Sequence, residues 1–373
     1  MRREEMPGPI AAALEDPLGV ARARHTVGRR IVGIIGAGVP DAMVLAAGAE
    51  PLHLAPGSGP TPHADAFVPS ESPSLKRLAE PALDGSLGFL DLLVVTRSEE
   101  WLYYTLKEAV RAGVGAVPPL HLHDLVPSAE LQVRGYNRRQ MTDLSARLAR
   151  VTGTPPIGGA LATARAAIDT RSALLRDLQR LREDGRIAGT TALRVIAAAR
   201  VMDPASFVEA ITPWLEQAAC APIRPGPRFL LLPSEATDLP AIHRAVEEVG
   251  ATVIREDSDW GARAAVAPPS EADPDQILEA EIAQICGPAV QPRSTRLGWA
   301  EAQLARNDID GVIFAIPSAD RRFGWDYPSL RDRAATLGVP ALLLRDDPAQ
   351  APEAARAALA DFVRNRAGKA RAA

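Results

Sequence analysis

Three stretches of this sequence carry residue types at spacings that could do chemistry. Gly33-Ile-Ile-Gly36-Ala-Gly38-Val-Pro40 follows an apolar run, and glycines at a strand-to-helix turn would let a pyrophosphate approach the backbone N–H groups. The dinucleotide pattern stops at its third glycine, where Asp41 would set a carboxylate beside the phosphates. A tight strand-to-helix turn is the plainer reading. His121-Leu-His123-Asp124 closes another apolar run. Alternate strand residues point the same way, so the two imidazoles could share a metal ion, with hydrogen-bonded histidines at a strand exit as the competing reading. His25, His53, His63 and His243 have no neighbour in the sequence that would build a triad.

Sulfur supplies the third. Cys220 and Cys286 lie 66 residues apart, which fits neither a disulfide framework nor a zinc or iron-sulfur spacing. Cys286 ends an apolar helical stretch before Gly287-Pro288, where the negative end of the helix dipole would raise the thiol pKa. A small buried filler is the expected role.

The elements that must position these groups follow from periodicity. Apolar runs Ile31–Ile35, Pro51–Leu54, Leu92–Val95 and Val117–Leu122 alternate with helical patterns, as buried strands of an α/β domain do. Pro40 and Asp41 open a short helix that stops at Gly48. Ser98 is placed to cap an amphipathic helix over Trp101–Ala112, which Gly113 would end. From Tyr136 to about Leu215 strand signals vanish and helical patterns dominate, including Met141–Val151 and Ala173–Leu181. A second alternation follows, with strands at Phe229–Leu232, Thr252–Ile254, Gly311–Ala315 and Ala341–Leu344. Helices are expected at Leu239–Val249, Gln276–Ile285, Leu297–Arg306 and Tyr327–Leu337. Strand-helix-strand order implies parallel pairing. The expected division is an N-terminal helical extension (1–30), a first α/β domain (31–135), a helical connection (136–222) and a second α/β domain (223–373).

Composition agrees with a soluble globular chain. With 373 residues, 47% of them hydrophobic, it is long enough to build a core without staples. Its 42 basic and 46 acidic side chains give no reason to expect nucleic acid or an anionic membrane as partner. No apolar stretch is long enough for a signal peptide or a membrane span, so a cytoplasmic location is expected.

Taken together, four segments resemble the family of the 2-hydroxyacyl-CoA dehydratase D-component and the benzoyl-CoA reductase subunits. Gly38-Val-Pro-Asp-Ala-Met-Val-Leu-Ala-Ala-Gly48-Ala-Glu-Pro51 is similar to the family's P-x-E-L-x-x-A-A-G-x-x-P element. Asp91-Leu-Leu-Val-Val-Thr-Arg-Ser-Glu99-Glu100 looks like the strand that runs into x-C-D. Gly250 through Asp257 and Gly261 to Arg263 resembles G-x-x-V-x-x-D-x-C-x-G-x-R. Asp310-Gly-Val-Ile-Phe314, then Ala319-Asp320, then Phe323 to Pro328 resembles D-G-V-I, C-D-P and F-x-x-P.

The resemblance implies two flavodoxin-like (Rossmann-like) parallel-sheet domains with helical additions, a heterodimeric assembly, and a [4Fe-4S] cluster held by cysteines in the interdomain cleft. Here the cysteine positions are taken by Glu99, Asp259 and Ala319. No cofactor is therefore expected in this chain, and a cluster would sit in a homologous partner subunit, the alternative assembly being a homodimer. Gly38, Pro40, Arg97, Glu100, Arg263 and Arg321 become candidates for contact with an acyl-CoA, whose phosphates suit arginine forks. Arg322 is placed similarly. Two other readings stay open. Glu99, Asp259 and Asp320 could line a vacated site for a hard divalent ion or for acid-base work on a thioester, or the chain could be a non-catalytic binding protein.

Overall fold

A computed structural model of the protein describes residues 6–57, 59–68, 73–128, 130–234, 237–265, 274–285, 290, 292–318, 320, 323–345 and 352–370. The expected strands are present as two four-stranded, all-parallel sheets. The first contains β1 (Arg30–Ile35), β2 (Ala49–His53), β3 (Leu92–Thr96) and β4 (Leu120–His123) in the order β2-β1-β3-β4. The second contains β5 (Arg228–Pro233), β6 (Thr252–Glu256), β7 (Gly311–Ala315) and β8 (Ala341–Leu344) in the order β6-β5-β7-β8. The two orders are the same pattern repeated.

Helices α1 (Gly8–Glu15) and α2 (Pro17–Thr26) precede the first sheet. Within it, α3 (Asp41–Ala46) joins β1 to β2, α4 (Pro62–Phe67) and α5 (Pro73–Leu83) lead to β3, and α6 (Glu100–Ala112) joins β3 to β4. Four helices separate the sheets: α7 (Leu131–Thr152), α8 (Gly158–Glu183), α9 (Gly189–Val201) and α10 (Pro204–Ala219). The second sheet carries α11 (Leu239–Glu248), α12 (Pro274–Gln284), α13 (Arg293–Leu304), α14 (Tyr327–Thr336) and α15 (Pro352–Ala370).

The near-continuous apolar strands make sense because both faces of each sheet are covered. Side chains alternate between faces, so Ile31, Ile35, Leu93 and Val95 bury against α1, α5, α6, α8, α9 and α10. Val32, Ile34, Leu92 and Val94 turn the other way, onto Met43 and Val44 of α3 and Leu144 and Leu148 of α7. Helix α7 starts before residue 136 and serves as a cover of the first sheet. In the second sheet Phe229, Leu231, Val253 and Ile313 pack with α11 and α15, while Leu230, Leu232, Val312 and Phe314 pack with α13 and α14. Each fully buried Leu, Ile or Phe contributes on the order of 2 kcal/mol.

One local expectation is corrected. Ser98 does not cap α6: it lies in a 3-10 turn over Arg97–Glu99, its hydroxyl meets Thr96 Oγ1 at 3.0 Å, and Glu99 occupies the cap position without a side-chain cap bond. The extra turn between strand and helix displaces the start by one residue. Gly113 ends α6 in the left-handed conformation as expected, at φ 67°.

Helices α8 and α9 tie the two sheets together. Both pack on β6 of the second sheet, and α9 also packs on β2 of the first. Arg182 of α8 is fully buried and forms a fork on Glu256 at the end of β6, also donating from Nε to the Val253 carbonyl at 2.9 Å.

Candidate functional site

In open parallel sheets the site forms outside the carboxyl ends of the strands, at the point where strand order reverses. In the first sheet that point lies between β1 and β3, beneath the Gly36–Pro40 turn. The turn depends on its glycines. Gly36 and Gly38 have φ of +93° and +92°. A Cβ on Gly36 would come within 1.9 Å of Thr96 Oγ1, and one on Gly38 within 3.0 Å of Ile285 Cδ1. The turn is thus pressed between the exit of β3 and α12 with its following residue from the second half of the chain. Leu125, Leu278, Ile285 and Val290 form a small apolar cluster there.

Behind this turn is a cavity of about 90 Å³, walled by Gly38, Pro40 and Asp41, by His53, by α8 and α9, and by Glu281 of α12. Its inner wall is a chain of charged and polar side chains. His53 ends β2 and brings Nε2 to 2.7 Å from Asp41 Oδ1. Arg171 of α8 donates to Asp41 Oδ2 at 2.6 Å and to the Ala199 carbonyl at 3.1 Å. Arg200 of α9 lies 3.1 Å from His53 Nδ1, donates to the Asp259 carbonyl, and stacks 5.0 Å above the Trp260 ring.

An arginine can only donate, so His53 Nδ1 accepts from Arg200 and its proton sits on Nε2, facing Asp41. Burial, together with the charges of Arg200 and Arg171, holds the His53 pKa below its ordinary value despite Asp41. Asp41 is buried, which opposes ionisation, yet the His53 hydrogen bond and Arg171 hold its carboxyl far below the usual carboxylate range. His53 is therefore neutral with both nitrogens engaged. It positions Asp41 and Arg200 and has no lone pair left to act as a base.

The sequence-derived candidates fall into separate groups. Gly38 and Pro40 line the cavity. Arg97 lines a neighbouring niche of about 10 Å³ with Thr96, Ser98 and His123, enough for one water. Arg97 pairs with Asp124 at 2.5 Å, and the same carboxylate accepts the Tyr136 hydroxyl at 2.5 Å, which pushes the phenol up to about 12. Glu99 accepts the Trp101 indole N–H at 2.9 Å, and Glu100 is exposed at the first position of α6. Asp259 enters the site through its backbone carbonyl. Asp257, whose pKa burial raises, pairs with Arg263 at 2.8 Å. Arg263 also donates to the Ala283 carbonyl of α12 at 3.0 Å and stacks 4.8 Å from the Trp299 ring, so it braces the cavity wall. Asp320 accepts the Gly324 N–H at 3.0 Å. Ala319, Arg321, Arg322 and Cys286 lie outside the described residues.

Of the two histidines on β4, His123 is buried and His121 half-buried. Nε2 of His121 has no hydrogen bond among the described residues, and burial drives both pKa values down to about 4, for His123 against the backbone of Gly38. No group of three or more His, Cys, Asp or Glu among the described residues is arranged to hold a metal ion. Cys220 is exposed just past α10.

The other four histidines each lie near a carboxylate that is distant in sequence: His53 meets Asp41, His63 pairs with Glu80 at 2.8 Å, His243 lies 3.5 Å from Glu256 and His25 lies 3.8 Å from Asp91. Sequence reasoning missed Arg171, Arg200 and Glu281 altogether. Asp41 was visible as the residue that spoils the glycine motif, and that misfit was the available signal.

Two doubly wound parallel sheets, with a charged cavity at the carboxyl ends of the first, define an α/β protein of the two-domain, flavodoxin-like class. The chain belongs to the 2-hydroxyglutaryl-CoA dehydratase, D-component, family, whose model matches residues 37–364. A comparison with curated proteins returns no match. Among the described residues no helix is long and apolar enough to cross a membrane.

Proposed function

We propose that this chain is a D-component-type subunit of a 2-hydroxyacyl-CoA dehydratase-like assembly that shapes an acyl-CoA cleft without holding a [4Fe-4S] cluster of its own. The observation that carries this reading is its thiolate inventory. A [4Fe-4S] cluster takes three or four cysteine ligands, and the whole sequence contains two, of which Cys220 is exposed at the end of α10. Glu99, which stands at a family cysteine position, is a hard oxygen ligand already engaged by Trp101, and soft thiolates are what such clusters select. The residues present do not fit the cluster, so the reduction chemistry belongs to a cysteine-bearing homologous partner.

In this role the chain's own residues bind and shape. The Gly36–Pro40 turn offers backbone N–H groups at the carboxyl end of β1, and Arg97 and Arg263, each already oriented by a carboxylate, are the cations offered to CoA phosphates. Anaerobic purification with iron and sulfide analysis tests the reading. The isolated chain is expected to hold well under one iron per polypeptide and to recover a cysteine-rich homologue when the two are co-expressed. Cluster-level iron in the isolated chain overturns it.

A further inference from the structure

The cavity behind the Gly36–Pro40 turn has a hydrogen-bonding inventory that does not close. The acceptors of Asp41 and His53 are engaged: Asp41 takes His53 and Arg171 on its two oxygens, and His53 Nδ1 takes Arg200. The cavity's donors are not. Arg171 Nε and Arg200 Nε are buried with no partner among the described residues. Glu281 lines the same cavity from α12 and makes no hydrogen bond or ion pair among the described residues. Burial and the charge of Asp41, against Arg200 and Arg171, push its carboxyl up to about 8, so at neutral pH it is a third donor.

The other charged groups around α12 are accounted for. Arg134 of α7 pairs with Glu279 at 3.3 Å, and Arg263 is committed to Asp257 and the Ala283 carbonyl. Arg165 and Asp169 of α8 also line the cavity, Asp169 in partial contact with solvent. Arg165, Arg171 and Arg200 against Asp41 and Asp169, with Glu281 protonated, leave the wall at +1. Ser172 of α8 adds a hydroxyl, and the rest is apolar, chiefly Met43, Leu161, Ile168, Leu175, Ile196 and Ile277. The 90 Å³ of room corresponds to roughly six waters.

Unspent donors, a net positive charge and apolar sides are complementary to an anionic acceptor on a short hydrocarbon body. We propose that this cavity is a binding site for a short-chain monocarboxylate, its carboxylate held between Glu281 and the Arg171–Arg200 pair. The site shares the Gly36–Pro40 turn with the acyl-CoA cleft proposed above, but the ligand is a free carboxylate and the inference does not rest on the subunit reading. Because the ligand accepts from a protonated Glu281, binding and protonation are linked.

Calorimetric titration of the full chain between pH 6 and pH 9 with isobutyrate, isobutyramide and isobutylamine tests this. Isobutyrate is expected to bind, with affinity falling toward tenfold per pH unit above about pH 8. The amide should bind at least tenfold more weakly and the amine not at all. Glu281→Gln should keep binding while flattening its pH dependence, and Ala280→Phe, which fills the cavity, should abolish it with the circular dichroism spectrum unchanged. The proposal is overturned by no isobutyrate binding to the folded chain at millimolar concentration, or by equal affinity for acid and amide. It is equally overturned by amine binding that tightens as pH rises, or by isobutyrate binding that survives the Phe substitution.

Discussion

Asp41 shows how a single residue changes meaning between sequence and fold. In the sequence it is the carboxylate that blocks a nucleotide motif. In the structure it anchors a cavity wall, with partners 12 and 130 residues away. Replacing Asp41 by Ala strands a buried guanidinium, and such losses cost about 3–5 kcal/mol. Denaturant unfolding of Asp41→Ala should show a loss of that size, with Arg171→Met in the same background recovering part of it. Glu281 acts in the opposite sense. Its folded pKa is raised from 4.5 to about 8, so its contribution is complete below pH 4.5 and is lost as pH rises through 8. Stability should therefore decline between about pH 5 and 8 by no more than about 1.4 kcal/mol per pH unit from this group. Glu281→Gln should flatten that slope in unfolding curves taken across the range. Asp41 and Glu256, the latter held near 2 mainly by Arg182 against its burial, are depressed instead. What they contribute is present above the unfolded carboxylate pKa and is lost as pH falls toward their folded values. Proximity in sequence could not reveal these partners, since Arg200 lies 147 residues from His53.

At the scale of elements, periodicity carried most of the information. β7 and β8 occupy the ranges their apolar runs predict, because strands covered on both faces leave an uninterrupted signal. Helices α1, α2, α4, α5, α9 and α10 left weaker traces: several are short, and the alanine-rich surroundings blur the apolar stripe. Arg182 illustrates why the packing of helix α8 on the second sheet was hidden in the sequence, although its Ala173–Leu181 stretch reads as helical. An arginine reads as a surface charge, yet this one is 0% exposed and faces Glu256, also 0% exposed. A double-mutant cycle is the appropriate test. Arg182→Met and Glu256→Leu should each destabilise by about 3–5 kcal/mol, and the double variant by clearly less than their sum. Additivity within about 0.5 kcal/mol would show that the pair does not couple α8 to β6.

At the scale of the whole molecule, the parallel sheets were legible because four strands alternate with helices in each half of the sequence, while the flavodoxin-like class was implied by the family resemblance. The way the halves meet was not legible, since it depends on α8 and α9 reaching from one sheet to the other and on Arg200 pinning the Asp259 carbonyl. These shared helices predict one cooperative transition. Differential scanning calorimetry should give a single peak for the wild-type chain, while replacing both Arg182 and Arg200 by Met should broaden it or split it in two. A wild-type trace with two resolved peaks would refute the idea that the helices make one folding unit.

The buried fork on Glu256 also imposes an order on synthesis. The first sheet and the helices that cover it, through Leu215 of α10, are complete before any strand of the second sheet exists. Arg182 emerges 74 residues ahead of its counter-charge, a delay of roughly 4–15 s at typical translation speeds. Until β6 arrives, the face of α8 destined for the second sheet must stay hydrated around a guanidinium that the finished protein seals from water. The arrival of one glutamate supplies the counter-charge that lets that face close.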